Sequence, residues 1–277
     1  MKRVIVYCRG DSASARELER EIGPYLTGKG LEVMTVTSRD DLSLVPSGAQ
    51  DGSFVLSLGG DGTFLRAARL SVQVGLPVLG INLGSLGFLT DVEENEVFTS
   101  LDAVLAGNYS VEHRLVLDAR VVREGKEILK SCGINDILVV RDLTGKILTF
   151  EVFIGGVRAG QMSADGLMVA TPTGSTGYSL SAGGPIVDPT VEALVLTPLA
   201  PHDFTSRPLV VSAGNEITIK VKESRDKAAL VRDGERMGDI RSFDTVAVRK
   251  SQQGVSIIRL REKNFYKVLG AKFHWGA

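Results

Sequence analysis

Residues 57–64 read SLGGDGTF. An apolar run, Phe54-Val55-Leu56, precedes them, and a helix-like run, Leu65 to Leu70, follows. Three glycines and one aspartate therefore close a buried strand and open a helix. A tight turn with Asp61 as helix cap is one reading. A phosphate cradle that also holds a working carboxylate is the other. Glycines let backbone approach a bulky anion, and the free N–H groups and dipole at a helix start attract phosphate. Asp61 repels phosphate, which suggests a different role, either taking a proton from a substrate hydroxyl or helping to hold a phosphate-bridging metal. Arg66, one turn on, could supply positive charge. No GxxxxGK[ST] and no GxGxxG stands anywhere in the chain.

Outward from this turn, the first hundred residues alternate strand and helix signals. Val4 to Tyr7 is a short buried-type strand. Ala15, Leu18, Ile22 and Tyr25 follow at helical spacing, and Gly28-Lys29-Gly30 stops that helix. Leu31 to Val36 alternates apolar and polar, and Val78 to Ile81 is a further strand. This rhythm predicts a Rossmann-like parallel sheet covered by helices, with ligands beyond the strands' carboxyl ends. After about Gly107 strand-like runs dominate: 116–122, 134–140, 147–154, 167–171, 193–197, 209–211 and 217–221, then 245–249 and 255–260. The expectation is an α/β domain over 1–107 and a β-rich domain over 108–249, with the tail from about 250 to 277 returning to the first.

Bulk properties narrow the class. The 277 residues are 43% hydrophobic with a formal charge of −1, enough for one large domain or two ordinary ones and no footprint for nucleic acid or anionic membranes. No apolar run approaches the ~18 residues needed to span a bilayer, and the N-terminal apolar run is too short for a signal peptide. Cys8 and Cys132 have no CxxC partner and read as buried thiols of a cytoplasmic protein. His113, His202 and His274 are too scattered for a metal site. Phe273 and Trp275 read as packing anchors of the tail, and Lys220 to Lys227 as a solvated turn.

Two more stretches carry chemistry. In 163–181, SADGLMVATPTGSTGYSLS, a short strand enters a run dense in Thr, Ser and Gly. Such a run offers hydroxyls and amides to an oxygen-rich ligand, and Tyr178 could stack on a base; an ordinary surface loop is the alternative. Asn135-Asp136 is either a turn or a pair that grips ribose hydroxyls.

These motifs, in this order, resemble the NAD kinase family: GGDGTFLRAAR at 59–69, NLGSLGFL at 82–89, ND at 135–136, SADGLMVATPTGSTGYSLSAGGPI at 163–186, LTPLAPH at 196–202, RPLV at 207–210 and KNFYKVLGAKFHWG at 263–276. GGDGT alone is shared with lipid kinases; TPTGSTGY after ADG is more specific. The resemblance implies an NAD kinase/diacylglycerol kinase-like fold with the site between the domains. It implies transfer of the ATP γ-phosphoryl group, or a phosphate of polyphosphate, to the 2′-hydroxyl of the adenosine ribose of NAD. Asp61 would be the general base. Gly60, Gly62 and Thr63 would contact phosphates, and Asn135 and Asp136 ribose hydroxyls or the adenine side. Thr173, Thr176, Gly177, Tyr178 and Ser181 would line the adenosine pocket, with Ala200 as its wall. Asp165 would meet the nicotinamide end, in this family often across a subunit boundary; Lys146 and Ser163 stand at contact positions. A divalent metal, Mg²⁺, would arrive with ATP, and the assembly would be a homodimer or homotetramer. Departures are ND for the commoner NE, Gly177 for Ala, and Glu235 where many relatives carry Gln. A lipid kinase would want an amphipathic basic stretch, which is missing from the sequence. A non-catalytic NAD(P)-sensing module could lose Asp61, which is present.

Overall fold

A computed structural model describes residues 2–37, 45, 51–84, 87–90, 92–142, 145–203, 205–222, 228–261 and 265–273. His274, Trp275 and the 223–227 part of the expected turn lie outside them. The chain divides into two compact units, Met1–Arg114 with Val255–Ala277, and Leu115–Gly254.

The first unit begins β1 (Arg3–Cys8), α1 (Ala13–Gly28), β2 (Glu32–Thr37), β3 (Phe54–Leu58), α2 (Asp61–Val74), β4 (Val78–Asn82), β5 (Val92–Glu93), α3 (Val97–Leu105) and β6 (Ser110–Arg114). The second runs β7 (Leu117–Arg123), β8 (Lys126–Gly133), β9 (Asp136–Arg141), β10 (Leu148–Ile154), β11 (Val157–Ala164), β12 (Gly166–Ala170), the single turn α4 (Tyr178–Ser181), β13 (Ala193–Leu199), β14 (Leu209–Ser212), β15 (Ile217–Val221), β16 (Ala228–Arg232), β17 (Glu235–Ile240) and β18 (Thr245–Lys250). The chain then re-enters the first unit as β19 (Val255–Arg259) and α5 (Phe265–Phe273). The described residues contain no helix long and apolar enough to cross a membrane.

In the first unit the sheet order is β2-β1-β3-β4-β19-β6, with β5 also on β4. All pairs are parallel except β19–β6. Strands of a sheet covered on both faces must be apolar throughout, and β3 is buried at every position. Helix α1 is capped by Ser12, which accepts from the Ala15 N–H. It buries Ala15, Leu18, Ile22 and Leu26. Tyr25, expected on that face, is instead half-exposed; its hydroxyl donates to Asp102 and its ring meets Phe98 edge-on. Strand β6 pairs with β19, so the change-over between units falls at Arg114–Leu115 and not at residue 107.

The second unit is a sandwich of two antiparallel six-stranded sheets, β11-β10-β15-β18-β7-β8 and β14-β13-β12-β9-β16-β17. Alternate residues such as Phe150, Val152, Ile219 and Val246 from one sheet meet Val139, Leu167, Val169 and Leu230 from the other in one core. Strands β8, β11, β16 and β17 lie in segments not read as strands from the sequence. Cys8 is buried, Cys132 is only half-buried, and the two form no disulfide.

Candidate functional site

In the first unit the glycine turn lies at the end of β3. Gly60, in extended conformation, precedes α2, and Asp61 is that helix's first residue. Asp61 caps nothing in its own helix. Its carboxylate reaches to the segment after β4, where Oδ2 accepts the Phe88 N–H at 2.9 Å and Oδ1 the Leu89 N–H at 3.1 Å. The helix-cap reading of Asp61 is therefore wrong. The carboxylate is fixed from outside its helix and stays about one-third exposed.

Gly87 shapes the same spot. A Cβ there would stand 2.2 Å from Asp61 Oδ1 and 2.8 Å from Thr90 Oγ1, so only glycine leaves room for the carboxylate. Below, the buried Arg259 donates to the Leu89 carbonyl at 2.9 Å and to Glu112 at 2.6 Å. Burial pushes the Glu112 carboxyl up, but Arg259 and Arg114 outweigh it and leave the group below its usual range. A β19 arginine thus anchors the backbone that holds Asp61.

Beside the glycine turn lies a cleft of ≈ 330 Å³ walled by Arg9, Ser12, Gly59, Gly60, Thr63 and Gly84, among others. Of the expected phosphate-side residues, Gly60 and Thr63 line it. Gly62 is exposed on the first turn of α2, and Arg66 half-buried one turn on; neither lines the cleft.

In the second unit the Asn135-Asp136 turn joins β8 to β9. It is held by Asp233, whose carboxylate accepts the N–H groups of Ile134, Asn135 and Asp136 at 3.1, 2.7 and 3.1 Å. Asp233 sits at φ 45°, a left-handed conformation that Asp tolerates better than most residues. Nothing in the sequence pattern marks this role; a DG pair signals only a turn. Glu235 pairs with Arg232 at 3.0 Å.

Asp136 is 5% exposed. Burial, then the neighbouring Asp233 charge, raises its carboxyl to about 7. The native state therefore holds a proton that the unfolded chain releases near pH 4, so stability falls as pH rises from about 4 to about 7 and levels off above. Asp136→Asn is expected to flatten that dependence. Urea midpoints for both proteins at pH 5 and pH 8 check it: the parental midpoint should drop more than the variant's, and parallel profiles would refute the assignment. Beside it, Asn135 Oδ1 is buried without a hydrogen-bond partner among the described residues. An unpaired buried acceptor calls for a donor.

The hydroxyl-rich run lies directly against this pair. Its hydroxyls divide into two sets. Thr171 Oγ1 donates to the Ile134 carbonyl, Ser175 Oγ to that of Pro172, and Ser179 and Thr197 pair at 2.9 Å, all fully buried. These fasten the loop. Thr173 is also buried, while Thr176 and Gly177 are half-buried. Gly177 stands close to the Asn135 side chain.

Asp165, Tyr178, Ser181 and Ala200 share one cleft of ≈ 360 Å³ with Arg141, a size suited to a small ligand. Arg141 holds Asp165 with two bonds, at 2.6 and 3.2 Å. Tyr178 is 53% exposed. Ala200 is left-handed at φ 43°, strain of the kind stored at functional sites. Lys146 and Ser163 do not line this cleft: Lys146 is exposed and Ser163 Oγ bonds Thr149 across the β10–β11 pair. A larger cleft, ≈ 400 Å³, crosses β7, β8 and β18, but its charges include Arg120–Glu216 and Lys130–Glu127 ion pairs and no motif residue.

Family comparison agrees with the motifs. Residues 32–109 match the ATP-NAD kinase N-terminal domain model and 134–260 the ATP-NAD kinase C-terminal domain model. The chain is 37% identical to the NAD kinase of Heliobacterium modesticaldum, covering 100% of both chains. It is 37% identical to that of Natranaerobius thermophilus over 93% of this chain and 90% of the relative. Among solved structures, yeast NADH kinase complexed with NADH superposes with a TM-score of 0.89 at 25% identity, covering 100% of this chain and 88% of that one. The NAD kinase of Archaeoglobus fulgidus in complex with ATP gives 0.74 at 26% identity, covering 98% of each.

Proposed function

The chain belongs to the NAD kinase family, and we propose that it transfers the γ-phosphoryl group of ATP to the 2′-hydroxyl of the adenosine ribose of NAD, giving NADP, with Asp61 as general base. The observation that carries this reading is the Asp61 carboxylate, fixed by two backbone N–H groups at the mouth of a glycine turn. A ribose hydroxyl is a poor nucleophile, and a carboxylate aimed at it removes the proton as the new bond forms. The relatives' complexes with NADH and ATP support the two substrate classes.

The remaining roles follow the chemistry of each group. Asn135 Oδ1 accepts from a ribose hydroxyl, and Asp136, titrating near neutrality, can accept or donate at the next one. Tyr178 stacks on a base, with Ser181 and Ala200 beside it; Arg141 holds Asp165 ready for a ligand amide or hydroxyl. Gly60 and Thr63 offer the glycine-turn cleft to phosphate, and Gly62 and Arg66 lie along the same helix. Among the described residues no three acidic, His or Cys side chains converge on one point. A magnesium ion held by ATP phosphates and water would supply charge neutralisation when ATP is bound. On family resemblance the protein works in the cytoplasm as a homodimer or homotetramer.

A coupled assay tests this. Purified protein receives NAD, ATP and Mg²⁺, and an NADP-specific dehydrogenase reads the product. NADP in proportion to protein is the expected result. No NADP with ATP or with polyphosphate, while NAD still binds by calorimetry, would favour a sensing module instead.

A further inference from the structure

The C-terminal helix brings a cation to Asp61. Lys272, in the last turn of α5, places Nζ 3.9 Å from Asp61 Oδ2 and 4.8 Å from the centroid of the Phe88 ring. That ring is itself gripped by α5: Phe273 stacks on it at 5.8 Å and Phe265 tilts against it at 6.0 Å. Phe88 is also the residue whose N–H holds Asp61. One helix thus fixes the backbone donor, the carboxylate behind it and a positive charge beside it.

A lysine in the last turn of a helix is ordinary, because it complements the carbonyl end. The spacing is what points further. At 3.9 Å the ammonium and carboxylate attract but lie beyond hydrogen-bond reach. The ammonium is positioned by the aromatic face, and both side chains remain about one-third exposed. The gap suits two oxygens bound for one phosphorus: an attacking hydroxyl on the carboxylate side and a phosphoryl oxygen on the ammonium side.

We propose that Lys272 is a catalytic residue which binds an oxygen of the phosphoryl group during transfer and offsets the repulsion that Asp61 would otherwise exert on it. This rests on the phosphotransfer reading above. In the step, the ribose oxygen bonds to the γ-phosphorus as the bond from that phosphorus to the β,γ-bridging oxygen breaks. The hydroxyl proton passes to Asp61, the electron pair leaves with ADP, and Lys272 transfers nothing. Charge placed where it builds up in transfer acts on kcat more than on binding.

Lys272→Met and Lys272→Arg separate this from a packing role. Met keeps an unbranched apolar stem over Phe88; Arg keeps the charge. Lys272→Met should lower kcat by about tenfold to a hundredfold, with KM for NAD within about threefold and little change in Tm. Lys272→Arg should recover a substantial part of the loss. Wild-type-like turnover in Lys272→Met would overturn the proposal. So would equal losses in both variants accompanied by a fall in Tm, which marks a packing role. If the parental protein makes no NADP, the phosphotransfer reading itself has failed and this proposal falls with it.

Discussion

Asp61→Asn is expected to reduce kcat for NADP formation by roughly 10²–10⁴-fold, the range that a positioned general base supplies. Affinity for NAD should stay close to the parental value, because the groups assigned to the nucleoside lie on other segments. The variant also carries a structural cost. Both oxygens of Asp61 accept backbone N–H groups, so an asparagine must turn its NH₂ toward either Phe88 or Leu89. A donor facing a donor costs about 1–3 kcal/mol, so Tm should fall modestly while the fold persists. Calorimetry with NAD and circular dichroism separate that cost from lost chemistry. Turnover within threefold of the parental protein, with NAD bound normally, would remove Asp61 from the base role.

That prediction draws on what can be read in the sequence and on what cannot. The strand, glycine turn and helix around Asp61 are legible because they are local: an apolar run, three glycines and a helical period adjoin one another. The partners of Asp61 are not. Phe88, Leu89 and Lys272, and the Arg259 that anchors Leu89, come from distant segments, and no pattern in a single sequence says which backbone N–H a carboxylate will reach. The same holds for Asp233, whose three bonds fix the Asn135-Asp136 turn from nearly a hundred residues away.

The β-rich half shows the limit in another form. Interior strands such as β12 and β13, buried at every position, declare themselves by apolar runs. Strands β8, β11 and β17 are sheet edges with water on one side, and segments such as KEILKSCG carry charge and glycine that obscure the alternation. The Thr/Ser/Gly run stands out by composition, but composition cannot tell a hydroxyl that anchors a loop from one that faces a ligand. Burial sets the loop-bonded Thr171, Ser175 and Ser179 apart from Tyr178 and Ser181, which line the cleft beside Ala200.

Gly174→Ala should do more harm than any other single methyl in the second unit. A Cβ at Gly174 would stand 2.1 Å from the Asn135 carbonyl oxygen, 2.5 Å from its carbon and 2.7 Å from Cα. All three are backbone atoms, so no rotamer change relieves the overlap. The struck carbonyl also accepts the Thr171 N–H at 2.8 Å, and Gly174 N–H itself donates to Thr171 Oγ1 at 3.0 Å. Relief therefore means separating the loop from the Asn135-Asp136 turn, which carries the orphan Asn135 oxygen and the neutral-range Asp136 acid. Overpacking of this kind costs about 1–3 kcal/mol or more, and the dinucleotide KM should rise by at least about tenfold, since a displacement near 1 Å can cost a hundredfold at a site. Gly23→Ala provides the contrast. Gly23 lies within α1 with no heavy atom beyond its chain neighbours within 4 Å of its Cβ position, so alanine there should leave KM unchanged; Pro24 follows it, and the crowding of an added Cβ against the proline ring offsets the entropic gain of alanine over glycine. Denaturant midpoints and NAD titrations on both variants decide the point: if Gly174→Ala behaves like Gly23→Ala, the close approach of loop and turn does not organise the site.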